Sequence, residues 1–252
     1  MSQQQGQFQR RPDTMFNDFR YPMPQTREPV DGAKFPARWV WDFGLDGKVK
    51  FKVNDGIFGQ QDKNSKLKEV ELGAMDRNSI LNLIMNAIED PNFTKAQYHV
   101  KKKVFGQGGR MNDQPSTLGT FTIIRTSEGK IAVGYTKGTY KVMFEFNGPN
   151  DSIVVLSKDG QSYEDHGLMS RVYAKAFVEF SRKFLDQFEW DNFKPRERKE
   201  NNGGGNRGGG NNNWGNRNGG NGGGGNNNYN GGGNGGGGNR QAPADFDDDI
   251  DF

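Results

Sequence analysis

Hydrophobic and polar residues alternate in short runs after residue 33, as they do along β-strands that bury one face. Two such runs, residues 37–43 and 48–53, are separated by the turn sequence Gly44-Leu45-Asp46-Gly47. This arrangement predicts a β-hairpin. A third strand is predicted over residues 67–72, after a polar loop.

The spacing of apolar residues then becomes helical. Apolar residues recur every three or four positions between Asp76, which can cap a helix, and Asp90-Pro91, which stops one. Further strands are predicted over residues 97–105, 118–126, 130–136, 139–146 and 152–157. A long helix, over about residues 163–188, completes the pattern, and its predicted core stripe is Val172, Tyr173, Ala176, Phe177, Phe180, Phe184 and Phe188.

Strands followed by a helix, and then strands followed by a helix again, predict an α+β, mainly antiparallel domain with two repeated units. This element order resembles the Whirly-type and coactivator-type folds that bind single-stranded DNA. An OB-fold barrel is the alternative, because five short strands and one helix produce a similar pattern.

The flanking segments differ in composition from this domain. Residues 1–33 are rich in Gln, Arg and Pro, and we expect a mostly disordered arm that can fold back on the domain of residues 34–200. Residues 201–239 contain 20 Gly and 15 Asn, which cannot form a core. Residues 201–244 are therefore predicted to be a flexible linker to an acidic tip, residues 245–252.

Composition excludes several classes of site. The chain has 252 residues without cysteine, so thiolate metal sites and thiol nucleophiles are absent. Its two histidines, His99 and His166, show no metal-ligand spacing. Gly44-Leu45-Asp46-Gly47-Lys48 lacks the P-loop spacing. We therefore predict a protein that is not an enzyme and has no cofactor or metal.

Segments of the chain carry opposite charge. The formal net charge is +3, but residues 34–200 hold 27 basic and 22 acidic side chains, whereas the tip holds five acids and no base. A basic domain and its acidic tip should attract each other, and a polyanion should compete with the tip for the domain.

The tip combines carboxylates with large apolar side chains, as short docking motifs do. It consists of Asp245, Phe246, Asp247, Asp248, Asp249, Ile250, Asp251 and Phe252. These residues closely resemble the C-terminal tip of bacterial and phage single-stranded DNA-binding proteins, although that family usually has Pro before the last Phe, where this chain has Asp251. The resemblance implies that the tip binds replication, recombination and repair enzymes.

Binding unpaired nucleic acid requires cations for phosphates and aromatic faces for bases. The aromatic candidates share strand faces that could equally belong to the core. The predicted nucleic-acid-binding residues are Arg38, Trp39, Trp41, Phe43, Lys48, Lys50, Lys52, Lys101, Lys102, Lys103, Arg125, Lys130, Tyr135, Lys137 and Lys141.

These features favour a phage-encoded protein that binds single-stranded DNA without sequence preference, protects it and recruits enzymes through the tip. The main alternative is an RNA-binding protein or RNA chaperone, because stacking tolerates either sugar. A self-assembling structural protein is a third class, and a homo-oligomer remains open.

No apolar run approaches the roughly 18 residues of a membrane span, and no signal peptide is evident, so we expect the host cytoplasm.

Overall fold

The structure is a computed structural model that describes residues 14–16, 18, 20–44, 47–103 and 113–193. All of these residues belong to one compact unit. In chain order, its helices and strands are β1 (Arg38–Phe43), β2 (Val49–Asn54), β3 (Glu69–Glu71), α1 (Ala74–Glu89), β4 (Lys95–Lys102), β5 (Ser116–Arg125), β6 (Ile131–Lys137), β7 (Tyr140–Glu145), β8 (Val155–Lys158), β9 (Gln161–Glu164) and α2 (His166–Asn192).

The first sheet has the order β1-β2-β3, with antiparallel pairing throughout. The predicted hairpin is confirmed, with Trp41 opposite Phe51. Along β2, Val49, Phe51 and Val53 are buried, while the alternate positions face outward and are half-buried. The period-2 pattern of the sequence therefore determined correctly which side of this strand faces the core.

The second sheet has the order β4-β5-β6-β7 and is also antiparallel. Its inner face includes Phe121 of β5, Tyr135 of β6 and Phe144 of β7, all fully buried. Gly129 and Gly138 occupy the two hairpin turns with positive φ, a conformation that glycine adopts without a steric penalty. These turns fix the registers that place Phe121 opposite Tyr135 and Phe144 opposite Val133.

The core is centred on Trp39, which contacts aromatic rings from both sheets and from α2. Its ring centroid lies 4.7 Å from that of Phe51, 5.9 Å from Phe121, 5.5 Å from Phe144 and 5.4 Å from Phe177. Most of these pairs have the edge-to-face or tilted geometry that aromatic quadrupoles favour. The inner faces of the two sheets thus share one core with the long helix.

Helix α2 begins and ends later than predicted, and its buried stripe only partly coincides with the predicted one. The Asp165 side chain accepts a hydrogen bond from the Leu168 amide at 2.7 Å and caps the first turn. The buried positions are Gly167, Ser170, Ala174, Phe177, Val178, Ser181 and Leu185. Of the predicted stripe, Phe177 is buried, and Tyr173, Phe184 and Phe188 are partly buried against the core. The prediction was wrong for Val172, Ala176 and Phe180, which are exposed.

Residues 161–164 form β9 rather than the start of this helix. Asp159 and Gly160 both have positive φ, as the central residues of a two-residue hairpin turn do. This Asp-Gly turn pairs β9 with β8 and delays the start of α2 to His166. The hairpin pairs with neither of the two larger sheets.

The described part of the predicted arm is folded against the domain. Phe16 is 1% exposed and packs edge-on against Phe180 and Phe184 of α2. Gln25 forms isolated antiparallel bridges with both Arg38 and Glu145, so it connects β1 to β7. Packing therefore begins well before residue 34, and the described residues of the arm fold back on the domain.

The α+β class, with antiparallel sheets and two helices, is confirmed. The described strands do not form a closed barrel, so the OB-barrel alternative is not supported. Among residues whose structure is described, no helix is long and apolar enough to span a membrane.

The two helices are joined by a buried cation. Arg77 of α1 is fully buried, and its Nη2 donates to Asp186 Oδ1 at 2.8 Å and to Glu189 Oε2 at 2.9 Å on α2. A buried cation without an anionic partner is costly. The pairing therefore fixes how the helices pack beside each other.

The double variant Asp186→Asn, Glu189→Gln should lower the free energy of unfolding by about 3 kcal/mol, because it leaves the buried guanidinium without an anion. Urea unfolding measures the change. The exposed Glu179→Gln on the same helix serves as control and should shift stability by less than about 0.5 kcal/mol. Equal stabilities for the double variant and the control would contradict this role of Arg77.

Candidate nucleic-acid interface

The aromatic residues predicted to stack on bases lie in the core. Trp39, Trp41 and Tyr135 are fully buried, and Phe43 is 2% exposed. The Trp41 indole donates to Ser181 Oγ at 3.0 Å, and the Tyr135 hydroxyl donates to the Leu67 carbonyl at 3.1 Å. Burial raises the pKa of Tyr135 well above its usual value. The prediction that these four rings bind nucleic acid was therefore wrong.

Several predicted lysines gather where the two sheets approach each other. Lys48 and Lys102 lie 3.7 Å and 3.3 Å from the Glu71 carboxylate. Lys50 lies 3.3 Å from the Glu69 carboxylate. Residues that are distant in sequence thus meet on one surface, because β2 pairs with β3 and the end of β4 approaches β3.

Lys137 of β6 completes this group. Its Nζ donates to the backbone carbonyls of Glu69 at 2.7 Å and Lys66 at 2.8 Å. Burial lowers the pKa of Lys137; the Glu69 carboxylate opposes this shift, and the nearby Lys50 adds to it. We name Lys48, Lys50, Lys102 and Lys137 the lysine cluster; Glu69 and Glu71 lie among them. Four cations around two carboxylates leave an excess of two positive charges.

Further predicted cations adjoin the lysine cluster. Lys101 and Lys103, the sequence neighbours of Lys102, are exposed. Lys52 lies on the same outer face of β2 as Lys48 and Lys50, and its Nζ is 3.9 Å from Asp42. Arg38 is half-buried on β1. The structure thus places most of the predicted cations on or beside the outer face of the first sheet.

Three predicted cations lie elsewhere and have other contacts. Arg125 donates to the carbonyls of Ala87 and Ile88, at 2.8 Å and 2.9 Å, and satisfies the end of α1. Lys130 contacts Glu128 at 2.7 Å in the β5–β6 turn, and this hydrogen bond lowers the pKa of Glu128. Lys141 is exposed on β7, opposite Thr136 on the outer face of the second sheet. Arg125 is therefore a structural residue.

Phe35 and Phe58 are two of the exposed aromatic side chains that the sequence reasoning did not select; Tyr21, Tyr163, Trp190 and Phe193 are the others among the described residues. Phe35 lies in the loop before β1, and Phe58 lies in the loop between β2 and β3. The available signal was an aromatic residue within a polar loop, as in Gly56-Ile57-Phe58-Gly59-Gln60-Gln61. A ring in such a loop does not belong to a strand or helix whose inner face is buried, so it can remain exposed. The predicted docking tip, residues 245–252, lies outside the described residues.

The variant Trp39→Ala should reduce the free energy of unfolding by about 3–5 kcal/mol, since it empties the centre of the aromatic core. In contrast, Trp39→Phe retains an aromatic ring and should leave oligonucleotide affinity unchanged. Denaturant unfolding and fluorescence anisotropy measure the two effects. A Trp39→Phe protein that keeps its stability but loses oligonucleotide binding would restore the stacking role.

The variant Arg125→Ala should cost about 2 kcal/mol of stability, because two carbonyls of α1 lose a charged donor. Its oligonucleotide affinity, measured below the unfolding transition, should match that of the wild-type protein. Lys130→Ala, in the nearby turn, should change neither property measurably. Weakened binding by Arg125→Ala at unaltered stability would show that this cation contacts nucleic acid.

Comparison with known proteins identifies no relative. The chain matches no protein-family model. No curated protein and no solved structure is detectably similar to it. The geometry described above is therefore the basis for any statement about function.

Proposed function

We propose that the protein is a non-enzymatic, sequence-independent single-stranded DNA-binding protein whose lysine cluster contacts phosphates. The observation that carries this proposal is the gathering of lysines from β2, β4 and β6 around Glu69 and Glu71. Each glutamate carries one charge, so the two cannot neutralise four lysines. A polyanion that binds here would replace weak surface ion pairs and release counterions.

The arrangement of cations suits an extended strand. Side chains on one face of a β-strand recur about every 6.6 Å, so Lys48, Lys50 and Lys52 form a row that a backbone can follow. Lysine is a flexible point charge that contacts phosphate without reading a base. These contacts support coating and protection of DNA rather than recognition of a sequence.

The Whirly-like resemblance is consistent with this proposal at the level of element order. Three strands precede α1, and six strands lie between α1 and α2. The two units therefore differ in strand number. We propose a Whirly-like or coactivator-like relationship as the finer description of the α+β fold.

The acidic tip supplies the second part of the proposed mechanism. Asp245 to Phe252 would recruit replication, recombination or repair enzymes, and would compete with DNA for the lysine cluster. A phage-encoded protein acting in the host cytoplasm fits these roles. RNA binding is the second candidate, because the cluster contacts phosphates and so offers no means to distinguish the two sugars.

The triple variant Lys48→Gln, Lys50→Gln, Lys102→Gln tests the cluster. We expect the slope of log affinity against log salt for poly-dT to become shallower by about 2, since each lost phosphate contact on a single strand removes about 0.7. Lys137 is left intact because it holds backbone carbonyls.

The matched control, Lys130→Gln, Lys158→Gln, Lys175→Gln, removes the same charge elsewhere on the domain. An equal change of slope in both triple variants would mean that only net charge matters, and no binding of poly-dT by the wild-type protein in dilute buffer would refute the function. Competition between matched DNA and RNA oligomers decides between the two candidates.

Removal of residues 245–252 should strengthen DNA binding at low salt, because an internal competitor of five carboxylates is lost. It should also abolish capture of replication or repair enzymes. Anisotropy titration and pull-down with purified enzymes measure these outcomes. A truncated protein that behaves like the full chain in both assays would exclude this role for the tip.

A further inference from the structure

Two exposed phenylalanines lie on loops that meet at one end of the first sheet. Phe35 is 66% exposed and Phe58 is 65% exposed, unlike the aromatic residues of the core. The loops approach each other at Gly32, where an added Cβ would lie 3.7 Å from Ile57 Cδ1. Two apolar rings therefore face solvent from adjoining segments.

The loop that carries Phe58 is held by a buried charge network. Lys68 is 3% exposed, and its Nζ contacts Asp55 at 2.7 Å and Asp62 at 2.8 Å. Asp55 also accepts from the Ile57 amide at 3.0 Å and from the Tyr140 hydroxyl at 3.3 Å. These contacts join both ends of the loop to the domain, so the exposed ring is carried by an ordered segment.

The loop that carries Phe35 is also anchored on both sides. The Thr26 hydroxyl donates to the Glu28 carbonyl at 2.7 Å and accepts from the Ala37 amide at 2.9 Å. Lys34 Nζ lies 5.3 Å from the Phe35 ring centroid. This cation–π contact places a cation at the ring, and sites for unpaired nucleic acid combine aromatic faces for bases with cations for phosphates.

The surroundings of Phe58 favour a nucleobase over a protein partner. Ile57, directly before it, is half-buried, whereas the residues after it, Gly59, Gln60 and Gln61, are exposed and not hydrophobic. The same loop carries the exposed Lys63 and Lys66. A protein interface needs a contiguous apolar patch, whereas one unpaired base needs only one ring face. A single ring among polar and cationic residues therefore suits an unpaired base better than a protein surface.

The position of the loop connects it with the lysine row. Strand β2 begins beside Lys48 of the lysine cluster and ends at Asn54, directly before the loop. Its five residue steps cover about 17 Å. A strand that follows Lys48, Lys50 and Lys52 along β2 would reach the loop of Phe58 next.

We propose that Phe35 and Phe58 form a stacking site for unpaired nucleobases at the end of the lysine row. This inference rests on the proposed function and assigns base contacts that the buried tryptophans cannot make. Phosphate contacts and base contacts are then made by separate residues, so they can be removed independently.

The test compares oligo-dT with an abasic oligomer of the same length, using the full chain and Phe35→Ala, Phe58→Ala as a double variant. Wild-type protein should prefer oligo-dT. The double variant should lose about 5- to 150-fold affinity for oligo-dT per stacked base, with unchanged affinity for the abasic oligomer and an unchanged salt slope. Phe35→Tyr, Phe58→Tyr keeps both ring faces and should retain the preference.

The control is Tyr163→Ala, which removes an exposed aromatic ring from the β8–β9 hairpin and should have no effect. Thermal unfolding verifies that each variant is folded. Unchanged affinity of the double variant for oligo-dT overturns the stacking site while the proposed function stands, as does an equal loss on both oligomers. Wild-type protein that binds neither oligomer overturns both.

Discussion

The burial of Trp39 among rings from both sheets and from α2 is the constraint on which the rest of the structure depends. No single element can enclose an indole, so β1, β2, the second sheet and α2 must all be in place before its surface is removed from water. Because this core uses the inner faces of the sheets, ligands are left with the outer faces and the loops. The lysine cluster and the two exposed phenylalanines lie in those positions.

The buried charged residues of this domain fix the relative positions of its helices and loops. Arg77 joins α1 to α2, and Lys68 joins the two ends of the loop that carries Phe58. Both cations are enclosed and each meets two carboxylates, which offsets much of the cost of their desolvation. Exposed lysines have looser pairs that a phosphate can replace. Burial therefore separates cations that hold the fold from cations that are available to a polyanion.

The spacing of polar and apolar residues along the sequence predicted most of the strands and helices. It did not predict which residues form the candidate nucleic-acid interface. Alternation along residues 48–53 located the lysine row correctly, since polar and apolar side chains occupied opposite faces. The same rule placed Trp39 and Trp41 on one face but could not determine whether that face was covered. The capping role of Arg125 and the meeting of Lys102 with Glu71 depend on contacts between residues far apart in sequence. Hairpin β8–β9 departs from the prediction because the helical pattern predicted from Tyr163 overlaps β9, which an Asp-Gly turn with positive φ pairs with β8.

Gln25 links strands that are separated by more than a hundred residues of chain. Its carbonyl accepts from the Glu145 amide at 2.8 Å, while the Pro24 carbonyl accepts from the Trp39 amide of β1 and the Thr26 amide donates to the Ala37 carbonyl, just before β1. During synthesis, this N-terminal segment emerges from the ribosome long before β7 exists. The link between β1 and β7 through Gln25 can form only after Glu145 has been synthesised. Until then, the segment around Gln25 can pair with β1 but has no partner on its other edge.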